Sequence, residues 1–285
     1  MPKGMAALAA LVLAVTLAPH ATAQTPPATG QTPPTGAQAQ PSDDTATQAQ
    51  RGRGRMTRET GRMAREMARA AELFSQAAST YADIVNLCLT DRAGAVRLSL
   101  SSARSELTRL RTYASDQSVA ALESRLAEME TAEAKGNLNA TALAATEAFK
   151  VVVTEMDPQM RRLPLEVSLQ TYSAFRLVVL ASAPQIDWPA VSQAAKDSEK
   201  SWIALRRMVR DTNLRVLLSE IQSGLRDAVG RNDAPSVKFA ARLQVASTAV
   251  LRDFFNRMAQ AMARSRPGDG EGEAQRRMQM SSPSR

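Results

Sequence analysis

The sequence predicts an all-α protein of about eight helices, arranged as two tandem, related antiparallel helical-bundle halves. Three observations carry that expectation. Between Met56 and Met262 the chain is dominated by Ala, Leu, Arg, Glu and Met, all strong helix formers, and Gly is sparse. Apolar residues recur at alternating steps of four and three, which draws one stripe along a helix. The pattern of stripes and turns then repeats at a period of about 95 residues.

The elements follow in order. Met63, Met67, Ala70, Phe74, Ala77, Tyr81, Ile84 and Cys88 form the seam of the first helix. Val96, Leu100, Ala103, Leu107, Leu110 and Ala114 form that of the second. A third helix is expected over about 116–135, with Val119, Leu122, Leu126 and Met129 inward, ended by Gly136-Asn137. The fourth covers about 139–156, with Ala142, Ala145, Phe149, Val152 and Met156 inward. It stops at Asp157-Pro158, because the residue before proline resists helical dihedrals. The fifth, about 163–183, is apolar nearly all round and is expected at the centre of the fold. Asp187 caps the sixth, with Pro189 in its first turn. The seventh covers about 212–229. Asp233 caps the eighth, which runs to about Ala263.

The period of 95 sets Val96 against Val191, Leu107 against Trp202, Asp116 against Asp211 and Leu122 against Leu217. One extra residue is placed at the turn Gly230-Arg231-Asn232. The halves are then 56–157 and 158–263.

The ends have a different character. Lys3, the uncharged apolar run Met5 to Leu17 and the small-x-small Ala21-Thr22-Ala23 read as a secretory signal peptide, residues 1–23. The run is too short to cross a ~30 Å hydrocarbon core, so no transmembrane segment is expected after cleavage. Residues 24–55 are rich in Pro, Thr, Gln and Ala without apolar periodicity and are expected as a disordered linker. A disordered basic tail is expected over 264–285. The destination is periplasmic or secreted. With a single cysteine, Cys88, no intrachain disulfide can form there.

Charge is concentrated at the ends. The formal charge is +8, yet residues 51–69 alone hold seven Arg and two Glu. Arg58, Arg62, Arg65 and Arg69 recur on one face of the first helix and are the candidate contact for an anionic surface, such as anionic lipid or another envelope polyanion. Nucleic acid is not expected, since no aromatic residues interleave with the basic ones.

The chemical inventory excludes much. The only histidine, His20, falls in the signal segment. The mature chain therefore has no imidazole base, nucleophile–His pair or His ligand, and one cysteine supports neither zinc nor an iron–sulfur cluster. No Gly-rich phosphate loop occurs. The chain is expected to be no enzyme and to carry no cofactor or metal. Glu123, Glu128, Glu130 and Glu133 read as a solvated face. Glu166, Gln170 and Arg176, polar on an otherwise apolar helix, are the candidate inter-helix polar pocket. The expected function is an exported, non-catalytic binding or interaction protein. The alternative is a structural protein held to an anionic envelope surface through residues 51–69.

Overall fold

The computed structural model describes residues 43–264, with side chains over 60–262. The expected signal peptide, most of the expected linker and nearly all of the tail lie outside the described residues. The chain divides into two units, residues 1–52 and 53–285, and α2–α8 lie in the second with most of α1.

All regular structure among the described residues is helical. The helices are α1 Asp43–Leu89, α2 Ala93–Leu110, α3 Asp116–Ala134, α4 Leu138–Glu155, α5 Leu165–Ala181, α6 Trp188–Leu205, α7 Thr212–Gly230 and α8 Ala234–Arg264. A single 3-10 turn, Pro158–Met160, precedes α5. α1 begins at Asp43, inside the segment expected as linker.

Caps and turns mark the boundaries. Ser115, Asn137, Asp187 and Asp211 each accept a hydrogen bond from the backbone N–H three residues on, satisfying a donor that the first helical turn leaves open. Asp233 does the same for Ser236 N. The α3–α4 and α7–α8 turns share one geometry. Gly136 (φ +70°) and Asn232 (φ +53°) both sit in the left-handed region. Gly136 N donates to Glu133 O (2.8 Å) and Asn137 N to Ala132 O (2.9 Å); Asn232 N donates to Val229 O (3.0 Å) and Asp233 N to Ala228 O (2.9 Å). Both turns thus close orphan carbonyls through a left-handed residue.

The seams bury as expected over most of their length. On α1 every seam residue from Ala70 to Cys88 is buried, but Met67 is half-buried and Met63 is 65% exposed. α1 is 47 residues long against 18 for α2. On α3 and α7 the pairing of Leu122 with Leu217 fails. Leu122 is buried, Leu217 is exposed, and the neighbouring Leu218 is buried. The inward stripe of α7 therefore runs through Leu214, Leu218, Ile221 and Leu225, one residue off the expected pairing at Leu217. Tyr113 N donates to Leu110 O and Met208 N to Leu205 O, 95 positions apart, whereas the caps Ser115 and Asp211 are 96 apart.

Phe74, Tyr81 and Ile84 of α1 join the inward residues of α2, α3 and α4 in one apolar cluster, completed by Tyr172, Phe175 and Val179 of α5. Phe149 and Phe175 meet edge to face, centroids 6.0 Å apart, a geometry that adds to simple burial. The opposite face of α5 packs on α6 and α8. Its central placement follows from an apolar surface that no single neighbour could cover.

The core of α5–α8 is divided in two. Leu177, Val178 and Ala181 lie in one apolar cluster with Val191, Leu225 and Val237. Val167 lies in the other with Trp202, Leu218 and Leu251. Between them is a buried polar layer, one residue from each helix: Gln170, Ser198, Gln222 and Gln244. Gln170 Nε2 donates to Ser198 O (2.6 Å), and Gln244 Nε2 to Gln170 Oε1 (2.6 Å). Gln222 Nε2 lies 3.0 Å from Ser198 Oγ.

Of the acidic residues of α3 expected as a solvated face, Glu123 and Glu128 are exposed and Glu130 and Glu133 half-buried, and all four pair with arginines. Arg97–Glu133 (2.8 Å), Arg104–Glu130 (2.6 Å) and Arg111–Glu123 link α2 to α3, while Arg125–Glu128 lies along α3. At this exposure each is worth well under 1 kcal/mol, a register guide more than a source of stability.

Candidate functional site

The predicted site residues fall in three places. Arg62, Arg65 and Arg69 are exposed on the start of α1, and the Arg58 side chain lies outside the described ones. They border an open groove of about 1040 Å³. Met63 and Met67 line it from α1; Thr112, Tyr113 and Met160 come from the α2–α3 connection and the 3-10 turn. Of its methionines, which continue the core stripe, Met63 is exposed and Met67 half-buried, while the arginines keep to the polar face. Arg62 pairs with Glu66 one turn on (3.1 Å), both well exposed. The sequence identified the arginines by their spacing. It carried no signal for Tyr113 or Met160, which only the fold brings alongside.

The expected pocket of Glu166, Gln170 and Arg176 does not form. Gln170 turns into the polar layer of α5–α8. Arg176 turns towards α4: its Nη1 donates to Tyr172 Oη (3.2 Å) and its Nε stands 3.5 Å from Glu147 Oε1. Tyr172 Oη lies 3.1 Å from Glu147 Oε1, and Lys150 Nζ sits 4.9 Å from the Tyr172 ring centroid. Glu166 takes part in neither network. The six-residue step from Gln170 to Arg176 is 600° of helix rotation, which sets the two side chains on different flanks of α5. Gln170 and Arg176 thus make polar contacts to different neighbouring helices.

Three buried titratable groups, Glu106, Tyr81 and Cys88, lie elsewhere. Glu106 of α2 is 5% exposed; its Oε1 accepts from Thr80 Oγ1 (2.9 Å) and its Oε2 has no partner. Burial raises its pKa, opposed by the Thr80 hydrogen bond and by Arg109. Its charge joins burial in raising the pKa of Tyr81. Cys88 is buried at the end of the α1 seam, and burial pushes its thiol up to about 12. Such a thiol holds almost no thiolate near neutral pH and is a poor nucleophile.

Among the described residues no group of three or more His, Cys, Asp or Glu is placed to hold a metal ion, and no helix is long and apolar enough to cross a membrane. No family model, no curated protein and no solved structure shows a match to this chain.

Proposed function

We propose that this chain is an exported, non-catalytic interaction protein that contacts an anionic surface through the start of α1. One observation carries the reading: Arg62, Arg65 and Arg69 stand beside an apolar floor of exposed methionine in a groove open to solvent. Cations flanking an apolar strip match the boundary between anionic headgroups and acyl chains, where each arginine is worth roughly 1 kcal/mol. Export rests on the Lys3, Met5–Leu17 and Ala21–Ala23 pattern at the N-terminus. The absence of catalysis rests on a mature sequence without histidine and with one cysteine, whose thiol is buried.

The body that carries this site is, in the same reading, two related antiparallel four-helix halves. The supports are α2 and α6, both 18 residues, and α3 and α7, both 19 residues. The matched turns at Gly136 and Asn232 add a third.

The test is pelleting with phosphatidylglycerol vesicles. The protein should co-sediment at low salt and be released at ~0.5 M salt, where the screening length shrinks to a few Å. The combined variant Arg62→Gln, Arg65→Gln, Arg69→Gln should keep its melting point and lose the association. Wild-type protein that stays in the supernatant at low salt removes the reading.

A further inference from the structure

The outer face of α8 is apolar and uncovered. Phe239, Leu243, Ala246 and Val250 follow steps of four, three and four and are all exposed, Phe239 at 71%. That rhythm marks a seam, and a seam on the solvent side of a helix calls for something to lie against it.

What covers the matching face of α4 shows what is missing. From Asn137 to Asp233, and so from α4 to α8, the spacing is 96 residues. On α4, Asn139 Nδ2 donates to Val179 O (2.9 Å), Leu143 packs into the first cluster, Glu147 bonds Tyr172, and Lys150 lies over the Tyr172 ring. These four meet α5. Ninety-six positions on stand Pro235, Phe239, Leu243 and Ala246, with no helix to follow them among the described residues. At this end α8 carries the interface that α4 uses to bind its successor, with the polar contacts replaced by apolar ones.

We propose that this face pairs with the same face of a second copy of the chain, as a two-fold antiparallel α8–α8 contact. A head-to-tail chain of copies would instead set α8 against the outer face of α1, the helix that corresponds to α5. That face presents Glu72, Ser75, Gln76, Ser79, Asp83 and Asn86, all exposed, and burying it against apolar residues would desolvate polar groups without partners. Two-fold pairing avoids this, because an isologous contact puts the apolar patch on itself. In the register that alternates the seam, Phe239 meets the partner's Val250 and Leu243 meets the partner's Ala246. Arg257, the next-but-one residue of the same stripe, then falls opposite the partner's Asn232, next to the partner's Asp233, and Asp253 falls opposite the partner's Ser236. This inference is independent of the anionic-surface reading, since it uses another helix and no arginine of α1.

The experiment is sedimentation velocity on the purified full chain from low micromolar to sub-millimolar concentration. The expected result is a monomer–dimer equilibrium. Phe239→Glu and Leu243→Glu, each alone, should shift it at least tenfold towards monomer while circular dichroism and melting point stay unchanged. Arg257→Glu should weaken it by a smaller factor. Ala246→Cys should give a disulfide-linked dimer on mild oxidation, because Cys88 is buried and the new thiol lies near the two-fold axis. A wild-type chain that stays monomeric throughout overturns the proposal. So do assemblies growing beyond the dimer, a dimer indifferent to Phe239→Glu and Leu243→Glu, or no crosslink through Ala246→Cys.

Discussion

Glu106 is the residue whose environment conflicts most with its chemistry. A carboxylate that is 5% exposed, with one oxygen bonded to Thr80 and the other orphaned, resists ionisation. Its folded pKa is raised, so the folded state holds its proton more tightly than the unfolded chain. The sign follows: its contribution is most favourable below the unfolded carboxylate pKa and is lost as pH rises through the higher folded value. Glu106→Gln removes the charge and keeps an oxygen to accept from Thr80. We expect the variant to be more stable than wild type at pH 7, by on the order of 1 kcal/mol for an uncharged rather than charged unsatisfied group. The difference should shrink as pH falls towards 4. Chemical denaturation at both pH values checks this, and equal stability at pH 7 would show that water reaches the carboxylate. Glu155, at the end of α4, behaves in the opposite way. It too loses water on burial, yet hydrogen bonds from Ser118 Oγ and Ser115 N (2.6 Å each) outweigh that and hold its carboxyl below its ordinary value.

At the scale of elements, the turns decide where helices stop. Gly136 and Asn232 occupy the same left-handed position in two turns with the same hydrogen bonds, yet only one of them is glycine. A side chain with a β-carbon pays about 1–2 kcal/mol there, less for asparagine, which bonds locally. Gly136→Ala should therefore destabilise by about 1 kcal/mol. No heavy atom obstructs a β-carbon at this site, so the loss is conformational and not steric. Asn232→Gly should be neutral or stabilising, and Asn232→Ala should lose less than Gly136→Ala, because asparagine already carries part of the β-carbon cost. Thermal melts of the three variants read this directly; a larger loss at Asn232→Ala than at Gly136→Ala would overturn it.

Across the whole molecule, the two sets of four helices are stabilised differently. α1–α4 share one continuous apolar cluster, whereas the cluster of α5–α8 is cut by Gln170, Ser198, Gln222 and Gln244. A fully satisfied layer adds little net stability over apolar packing, but it penalises any sliding of one helix past another, because each slip strands a buried amide. Gln244→Leu alone should cost about 1–3 kcal/mol, since it removes the bonds to Gln170 Oε1 (2.6 Å) and Ser198 Oγ (2.9 Å) and leaves Gln170 Oε1 only the longer contact with Gln222 Nε2 (3.4 Å). The combined replacement Gln170→Leu, Ser198→Ala, Gln222→Leu, Gln244→Leu should cost much less than its single changes added together. Denaturant melts of the single and combined variants test this; simple additivity would show that the four do not act as a unit.

Helical rhythm, caps and breakers are local properties, and the sequence alone determined them: the eight helices among the described residues, the inward stripes from Ala70 onward, and the caps at Asp187 and Asp233. Its inventory likewise left no histidine after His20, and the spacing of the arginines marked one edge of the groove. Tertiary structure decided the rest. A stripe tells which face turns inward but not whether another helix is there to receive it, so Met63 is exposed although it continues the seam of Phe74. Where two adjacent residues are both leucine, rhythm alone cannot choose the inward one, so only the fold shows that Leu218 is buried and Leu217 exposed. A polar residue on an apolar helix must find a partner, but which helix supplies it depends on packing. Gln170 met Ser198, Gln222 and Gln244, Arg176 met Glu147 and Tyr172, and Glu166 met neither set, because neighbours distant in sequence are chosen by the fold and not by spacing along one helix.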